Sequence, residues 1–130
     1  MIVWEDRFSV NHPLMDEQHK LIVDMINELS ELNETIVDKS KATEIAKKLV
    51  AYIHEHFVDE EELFKSLGDE FDSFTHIIYH NKMRQKLTNI LLDQLDGKQG
   101  QTTVLLNYLN KWWEYHILIE DMKYARLLKK

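Results

Sequence analysis

The chain of 130 residues has no cysteine, one proline and three glycines. Without cysteine there is no disulfide, no thiolate zinc or iron–sulfur ligation and no cysteine nucleophile. Glycine and proline together reach about a quarter of their usual share. Folds of strands and tight turns need more of both, so a β-sandwich, a barrel and a Rossmann-like sheet are disfavoured. No stretch approaches the roughly 18 apolar residues that suggest a membrane span. The opening run MIVWEDRFSV lacks the basic-then-apolar pattern of a secretion signal. A cytoplasmic protein is therefore expected. Basic charge is scarce as well: the net charge is −7. Neither nucleic acid nor a membrane is expected as a partner. The apolar share of 44% and charged share of 30% are those of an ordinary globular chain. What stands in excess is histidine, with seven.

The few breakers divide the chain into an arm over 1–11 and helices over about 13–37, 41–67, 73–95 and 102–128. Pro13 suits a first helical turn. Asp38, Lys39 and Ser40 read as a polar turn with Ser40 a candidate cap, and Gly68 reads as a helix stop. The segment 96–100, with two of the three glycines, is the clearest loop. Long helices with short connections predict an all-α, antiparallel up-down-up-down four-helix bundle forming one domain over 1–130. Trp4, Phe8 and Val10 would pack the arm onto it.

Spacing at i, i+3, i+4 and i+7 gives each helix an apolar stripe. The first carries Met15, His19, Ile22, Val23, Ile26 and Leu29. The second carries Ile45, Leu49, Tyr52, His56, Glu60, Leu63 and Leu67. The third carries His76, His80, Met83, Leu87 and Ile90 with Leu91, and the fourth Leu105, Leu109, Trp112 and His116. Histidine thus lies on the inward face of all four, and Glu60 joins it. A buried unpaired carboxylate is costly, and so are unsatisfied imidazoles. A metal ion compensates both kinds at once. His56 with Glu60, and His76 with His80, are i, i+4 pairs that can face one point. A lone histidine on an apolar face is more often a hydrogen-bonded core residue. Five on four helices are poorly explained that way. His12 precedes the first helix and His54 lies about 200° around from His56, so both are assigned surface or capping roles.

The fourth helix holds a break in phase. Continuing from His116 at 100° per residue brings Glu120, Lys123 and Leu127 inward. Sliding by one residue brings Asp121, Tyr124 and Leu128 instead, a far better core set. A slip of one residue is what a π-bulge produces, and such bulges recur at functional sites. A π-type distortion is predicted between His116 and Asp121, with gradual curvature as the alternative.

His19 in the run from Asp16 to Lys20, His56 with Phe57 and Glu60, His76 with His80, and His116 five residues before Asp121 together resemble the hemerythrin family, bacterial hemerythrins in particular. The likeness runs from Val3 through Tyr124, and only the turn between the second and third helices departs from a common proline-containing version. The resemblance implies a non-haem di-iron centre. His76, His80 and His116 would bind one iron and His19 and His56 the other. Glu60 and Asp121 would bridge them, together with an oxo or hydroxo group. One coordination position would then stay open, on the iron with two histidines, for O2. Ile22, Phe57, Trp113 and Ile117 would line that position as an apolar O2 pocket. The family reading implies reversible O2 binding with iron cycling between Fe2+ and Fe3+, for storage, delivery or scavenging, rather than an enzyme. A protein that receives the O2 is a possible partner, and the acidic surface favours a monomer. The alternatives are an oxygen or redox sensor, a peroxidase or nitric oxide reductase at the same irons, and a histidine phosphotransfer bundle, which needs an exposed histidine. Zinc or manganese could also occupy such ligands.

Overall fold

The computed structural model describes residues 2–35 and 39–128. Four rods carry almost all of it: α1 (Pro13–Thr35), α2 (Lys39–Leu67), α3 (Ser73–Leu95), and a fourth made of α4 (Gln101–Tyr115), a π-helical segment (His116–Asp121) and α5 (Met122–Leu128). There is no strand among the described residues. α1 packs on α2, α2 on α3, α3 on α4 and α4 back on α1, which closes an all-α, up-down-up-down four-helix bundle. The expected end of the first helix at Val37, and Asp38 of the expected turn, lie outside the described residues. Lys39 and Ser40 are already helical, so Ser40 is not a cap preceding the second helix.

Local chemistry sets the remaining boundaries. α2 stops at Gly68, whose φ of +61° is a left-handed conformation that glycine adopts without strain. A short 3-10 turn follows over Gly68–Glu70. Asp72 then caps α3: its carboxylate accepts from the Thr75 backbone N–H at 3.1 Å and from the Thr75 hydroxyl at 2.7 Å. At the start of α1, His12 Nδ1 accepts from the Met15 backbone N–H at 3.2 Å, which is the capping role. The arm lies against the bundle. Phe8 and Val10 are buried, and Trp4 and Phe8 set their rings 6.5 and 6.1 Å from that of Trp113.

The inward stripes of α1 and α4 hold as read. That of α2 drifts: Tyr52, Leu63 and Leu67 are only partly buried, while Ile53, Phe57 and Phe64 fill the core. The buried face of a bundle helix is wider than a single row of contacts, and the larger rings take its centre. Apolar residues form two separate layers. One holds Ile22, Phe57, Leu87, Trp113 and Ile117 among others. The other is smaller, with Val10, Met15, Phe64, Phe71, Tyr124 and Ala125. On three of the rods an inward-facing polar residue falls between them: His19 between Met15 and Ile22, Glu60 between Phe57 and Phe64, Asp121 between Ile117 and Tyr124.

Candidate metal centre

That polar layer is the site. His19, Glu60, His80, His116 and Asp121 are 0% exposed, His56 1% and His76 2%. The structure brings all seven together, on α1 (His19), α2 (His56, Glu60), α3 (His76, His80) and the π segment (His116, Asp121). The π segment accounts for the last pair. Five residues span one widened turn, so His116 and Asp121 both face inward, and the next inward residue is Tyr124 rather than Lys123.

The seven form two groups that share Glu60. His19, His56, Glu60, His116 and Asp121 offer ligand atoms within 4.8 Å of one another, and so do Glu60, His76 and His80. His116 falls in the first group, whereas the family resemblance pairs it with His76 and His80. Its Nε2 lies 2.9 Å from Asp121 Oδ2 and 3.7 Å from Glu60 Oε1, the oxygen that His80 Nε2 approaches at 3.0 Å. His116 therefore stands between the groups. His19 Nε2 is 3.2 Å from Asp121 Oδ2, and His76 Nε2 is 3.3 Å from Asp121 Oδ1. Each of the two carboxylates thus faces histidines from both sets.

Outer partners turn these rings inward. His56 Nδ1 meets Gln18 Oε1 at 2.8 Å, and Gln18 donates to Asp59 at 2.7 Å. His80 Nδ1 meets Glu61 at 2.7 Å, with Arg84 on the same oxygen at 2.8 Å. The Tyr79 hydroxyl lies 3.4 Å from His116 Nδ1. A partner at Nδ1 fixes the ring and leaves Nε2 for the centre. Stacking adds rigidity: Phe57 lies 4.1 Å from the His80 ring, and Trp112 4.6 Å from that of His116. The Tyr124 hydroxyl donates to Glu60 Oε2 at 2.7 Å. Of these partners, the sequence pattern places Tyr124 and Trp112 inward but does not single out Gln18, Glu61 or Tyr79. Gln18 precedes a ligand candidate and Glu61 follows one, and adjacency is the only signal either carries.

The electrostatics suit a cation. Burial alone would raise the Glu60 carboxyl, but His56, His116, His19 and His80 outweigh it and hold it well below the usual range. Asp121 is held down to about 2: burial and Glu60 oppose ionisation, and His116 and His19 overcome them. Burial also works against a proton on His19, yet the nearby carboxylates of Asp121 and Glu60 raise it to about 9. Burial takes His56 down to about 3. The Nε2 atoms of His19 and His56 lie only 2.9 Å apart, so a single proton sits between them. Two ionised carboxylates thus persist in the interior by drawing protons onto imidazoles. Even so, Glu60 Oε1, both Asp121 oxygens and the Nε2 atoms of His76, His80 and His116 are buried with no hydrogen-bond partner. Buried polar atoms are rarely left so. Nitrogen and carboxylate donors converging on shared points fit two bound metal ions.

Ile22, Phe57, Trp113 and Ile117 are all 0% exposed and belong to the larger apolar layer. Trp113 meets the His19 ring at 5.8 Å, and Phe57 the His56 ring at 6.0 Å. His54 is half-buried outside the cluster, with burial and Arg84 lowering its pKa. No helix among the described residues is long and apolar enough to cross a membrane.

Known proteins give the same picture. The family model of the hemerythrin HHE cation binding domain matches residues 11–128. A bacteriohemerythrin of Clostridium acetobutylicum is 30% identical over 128 residues, covering 95% of this chain and 98% of its own. A myohemerythrin of Theromyzon tessulatum is 30% identical over 121 residues, covering 93% and 88%. The crystal structure of a hemerythrin mutant superposes with a TM-score of 0.89 at 26% identity, covering 100% of this chain and 98% of that one. With a matching family model over nearly its whole length, the same bundle and a buried histidine–carboxylate centre, the chain belongs to the hemerythrin family.

Proposed function

We propose that the chain binds O2 reversibly at two iron ions, for storage, delivery or scavenging. The observation that carries this is the set of partnerless Nε2 and carboxylate atoms sealed inside the bundle. His76, His80 and His116 would hold one iron, His19 and His56 the other, and Glu60 and Asp121 would bridge the pair. Iron, once bound, supplies the electrons that reversible O2 binding requires. The protein's part is to orient and to exclude water. Gln18, Glu61 and Tyr79 hold the outer nitrogens of their histidines, so that Nε2 atoms converge. Ile22, Phe57, Trp113 and Ile117 give O2 an apolar pocket beside His19 and His56, and an apolar wall keeps out the water that would carry protons to bound O2. Five neutral imidazoles bring less negative charge than a site built from four carboxylates, which favours binding over oxidation. The working unit in this reading is one domain over 1–130, monomeric and cytoplasmic, with O2 as ligand and a protein that receives it as partner.

The test is anaerobic loading with Fe2+, then admission of air, followed by visible absorption. The expected result is a charge-transfer band that forms with O2 and disappears when O2 is removed. No band, or one that decays at once while peroxide or nitric oxide is consumed, overturns the carrier reading. Consumption would assign an enzyme instead.

A further inference from the structure

The outer nitrogens of the five centre histidines are not held alike. His56 Nδ1 donates to the neutral amide oxygen of Gln18 at 2.8 Å, and the Tyr79 hydroxyl comes no closer than 3.4 Å to His116 Nδ1. The Nδ1 atoms of His19 and His76 have no hydrogen-bond partner. Of the five, only His80 meets a carboxylate there, with Glu61 Oε2 at 2.7 Å. A carboxylate can only accept, so His80 carries its proton on Nδ1 and turns a bare Nε2 to the centre. Such a charge-assisted bond raises the electron density at Nε2. Glu61 does not act alone. Arg84, one turn beyond His80 on α3, donates to the same Oε2 at 2.8 Å, so two donors compete for one oxygen. Two further contacts fix Arg84 in place. It donates to Asn81 Oδ1 at 2.9 Å, and its guanidinium lies 5.5 Å over the Phe57 ring. Phe57 in turn stacks on the His80 ring at 4.1 Å. The side chains of Glu61 and Arg84 are 22% and 21% exposed, so water screens their charges less than those of surface groups.

We propose that Glu61 and Arg84 set the reduction potential of the metal centre with opposite signs: Glu61 lowers it through His80, and Arg84 raises it by taking up part of the charge on Glu61 Oε2. More electron density at Nε2 favours the higher oxidation state of an ion bound there, so loss of Glu61 raises the potential. Loss of Arg84 returns the whole of Oε2 to His80 and lowers the potential. Both are positioning residues that act through His80 from the α2–α3 face of the bundle. The inference rests on reading the buried cluster as an iron centre.

The experiment is a mediated redox titration of iron-loaded protein under argon, followed by visible absorption. E61Q keeps the shape of the side chain and removes its charge. It is expected to raise the midpoint of the first one-electron oxidation by about 59 mV, a tenfold change in the equilibrium constant. R84Q is expected to lower the midpoint, and R84K, which keeps the charge, should stay level with the parent. E62Q and K82Q make the same changes in net charge at exposed positions and should leave the midpoint where it is. A merely structural role for the pair would loosen His80 in E61Q and R84Q alike and move both midpoints the same way. Shifts of one sign, no shift, or equal shifts in the controls overturn the proposal. Iron bound per chain is measured alongside. Where E61Q binds less iron than the parent, the arginine variants decide: R84Q below the parent with R84K level supports the proposal, and any other order overturns it. A parent that takes up no iron overturns the metal centre and the proposal together. A parent that shows both shifts but no reversible band with O2 supports the proposal and overturns the carrier reading alone.

Discussion

Single side chains beyond the seven decide how well the centre is preorganised. Gln18 is the clearest case. The residue is 8% exposed and its amide bridges two groups, with the oxygen on His56 Nδ1 at 2.8 Å and the nitrogen on Asp59 at 2.7 Å. Because Asp59 takes the NH2 end, the amide oxygen is presented to His56, and that ring must carry its proton on Nδ1. Nε2 is thereby left as an acceptor facing His19. Replacing Gln18 with alanine should free the His56 ring, and loss of such an outer partner typically weakens metal binding about 10- to 100-fold. A chelator competition on loaded parent and Gln18→Ala protein measures it. Equal affinities would mean that the packing of Phe57 against the ring suffices. The seven centre residues are visible in the sequence because inward polar residues break an apolar periodicity. Gln18 and Glu61 are not, because a polar residue one step from an inward histidine reads as the start of a solvated face. Which way the amide of Gln18 points depends on Asp59, a residue 41 positions away.

At the scale of the element, the π segment is the feature on which the centre turns, and it is legible from phase alone. Lys123 inward and Tyr124 outward would have been the cost of an unbroken α-helix, and the structure has the reverse: Tyr124 is 0% exposed and Lys123 is exposed. An extra residue in one turn is what separates the two arrangements, so removing one should restore a plain helix and leave the residues beyond it in place. Deleting Ile119, which is 51% exposed, would put Asp121 four residues after His116 and keep Asp121 and Tyr124 inward. That variant should stay folded. Deleting Asn107 from the ordinary helical part of α4 rotates everything beyond it by about 100° and should unfold the bundle. Circular dichroism melts of both decide the matter, and two equally unfolded proteins would refute the reading of the bulge as one inserted residue. The second helix is less legible. Its true inward residues after Glu60 begin at Phe64, not Leu63, since a ring large enough to meet Phe71 at 4.7 Å takes the wider part of the face. Caps carry their own pH dependence. Hydrogen bonds from the Thr75 hydroxyl and backbone hold Asp72 below its ordinary pKa of 3.8. Its folded-state pKa is depressed, so its contribution to stability is present above about pH 4 and is lost as pH falls through the lowered value. Asp72→Asn should be less stable than the parent at neutral pH, and urea titrations should show the gap closing as pH drops below 4. A gap that stays constant with pH would show that the carboxylate's charge plays no part.

At the scale of the whole molecule, two apolar layers enclose a charged one, and the bundle is stable only if the charged layer is satisfied. Two of the acidic residues behind the net charge of −7 lie in that layer, at 0% exposure. In metal-free protein they are compensated by protons shared among crowded histidines and, at Glu60, by the Tyr124 hydroxyl, with several donor and acceptor atoms left unpaired. Metal binding to the folded state and not to the unfolded chain then adds stability by mass action, about 2.7 kcal/mol at a free metal concentration one hundred times the dissociation constant. For a domain of this size that is a rise in melting temperature on the order of 10 °C. Scanning calorimetry of the iron-loaded protein, before and after removal of iron with a chelator, should show that loss, and re-addition of Fe2+ should restore it. His116→Ala separates metal from packing. His116 touches both carboxylates and stands between Trp112 and Tyr79. Its removal should lower the metal bound from two ions per chain to one and destabilise the metal-free form by about 3–5 kcal/mol, since Glu60 and Asp121 lose a shared partner. Were the metal-free parent to melt where the loaded protein does, the layer would be self-sufficient. Metal would then occupy a cavity that the fold had already stabilised without it, and the unpaired nitrogens and oxygens would be a preformed receptor rather than a gap in the core.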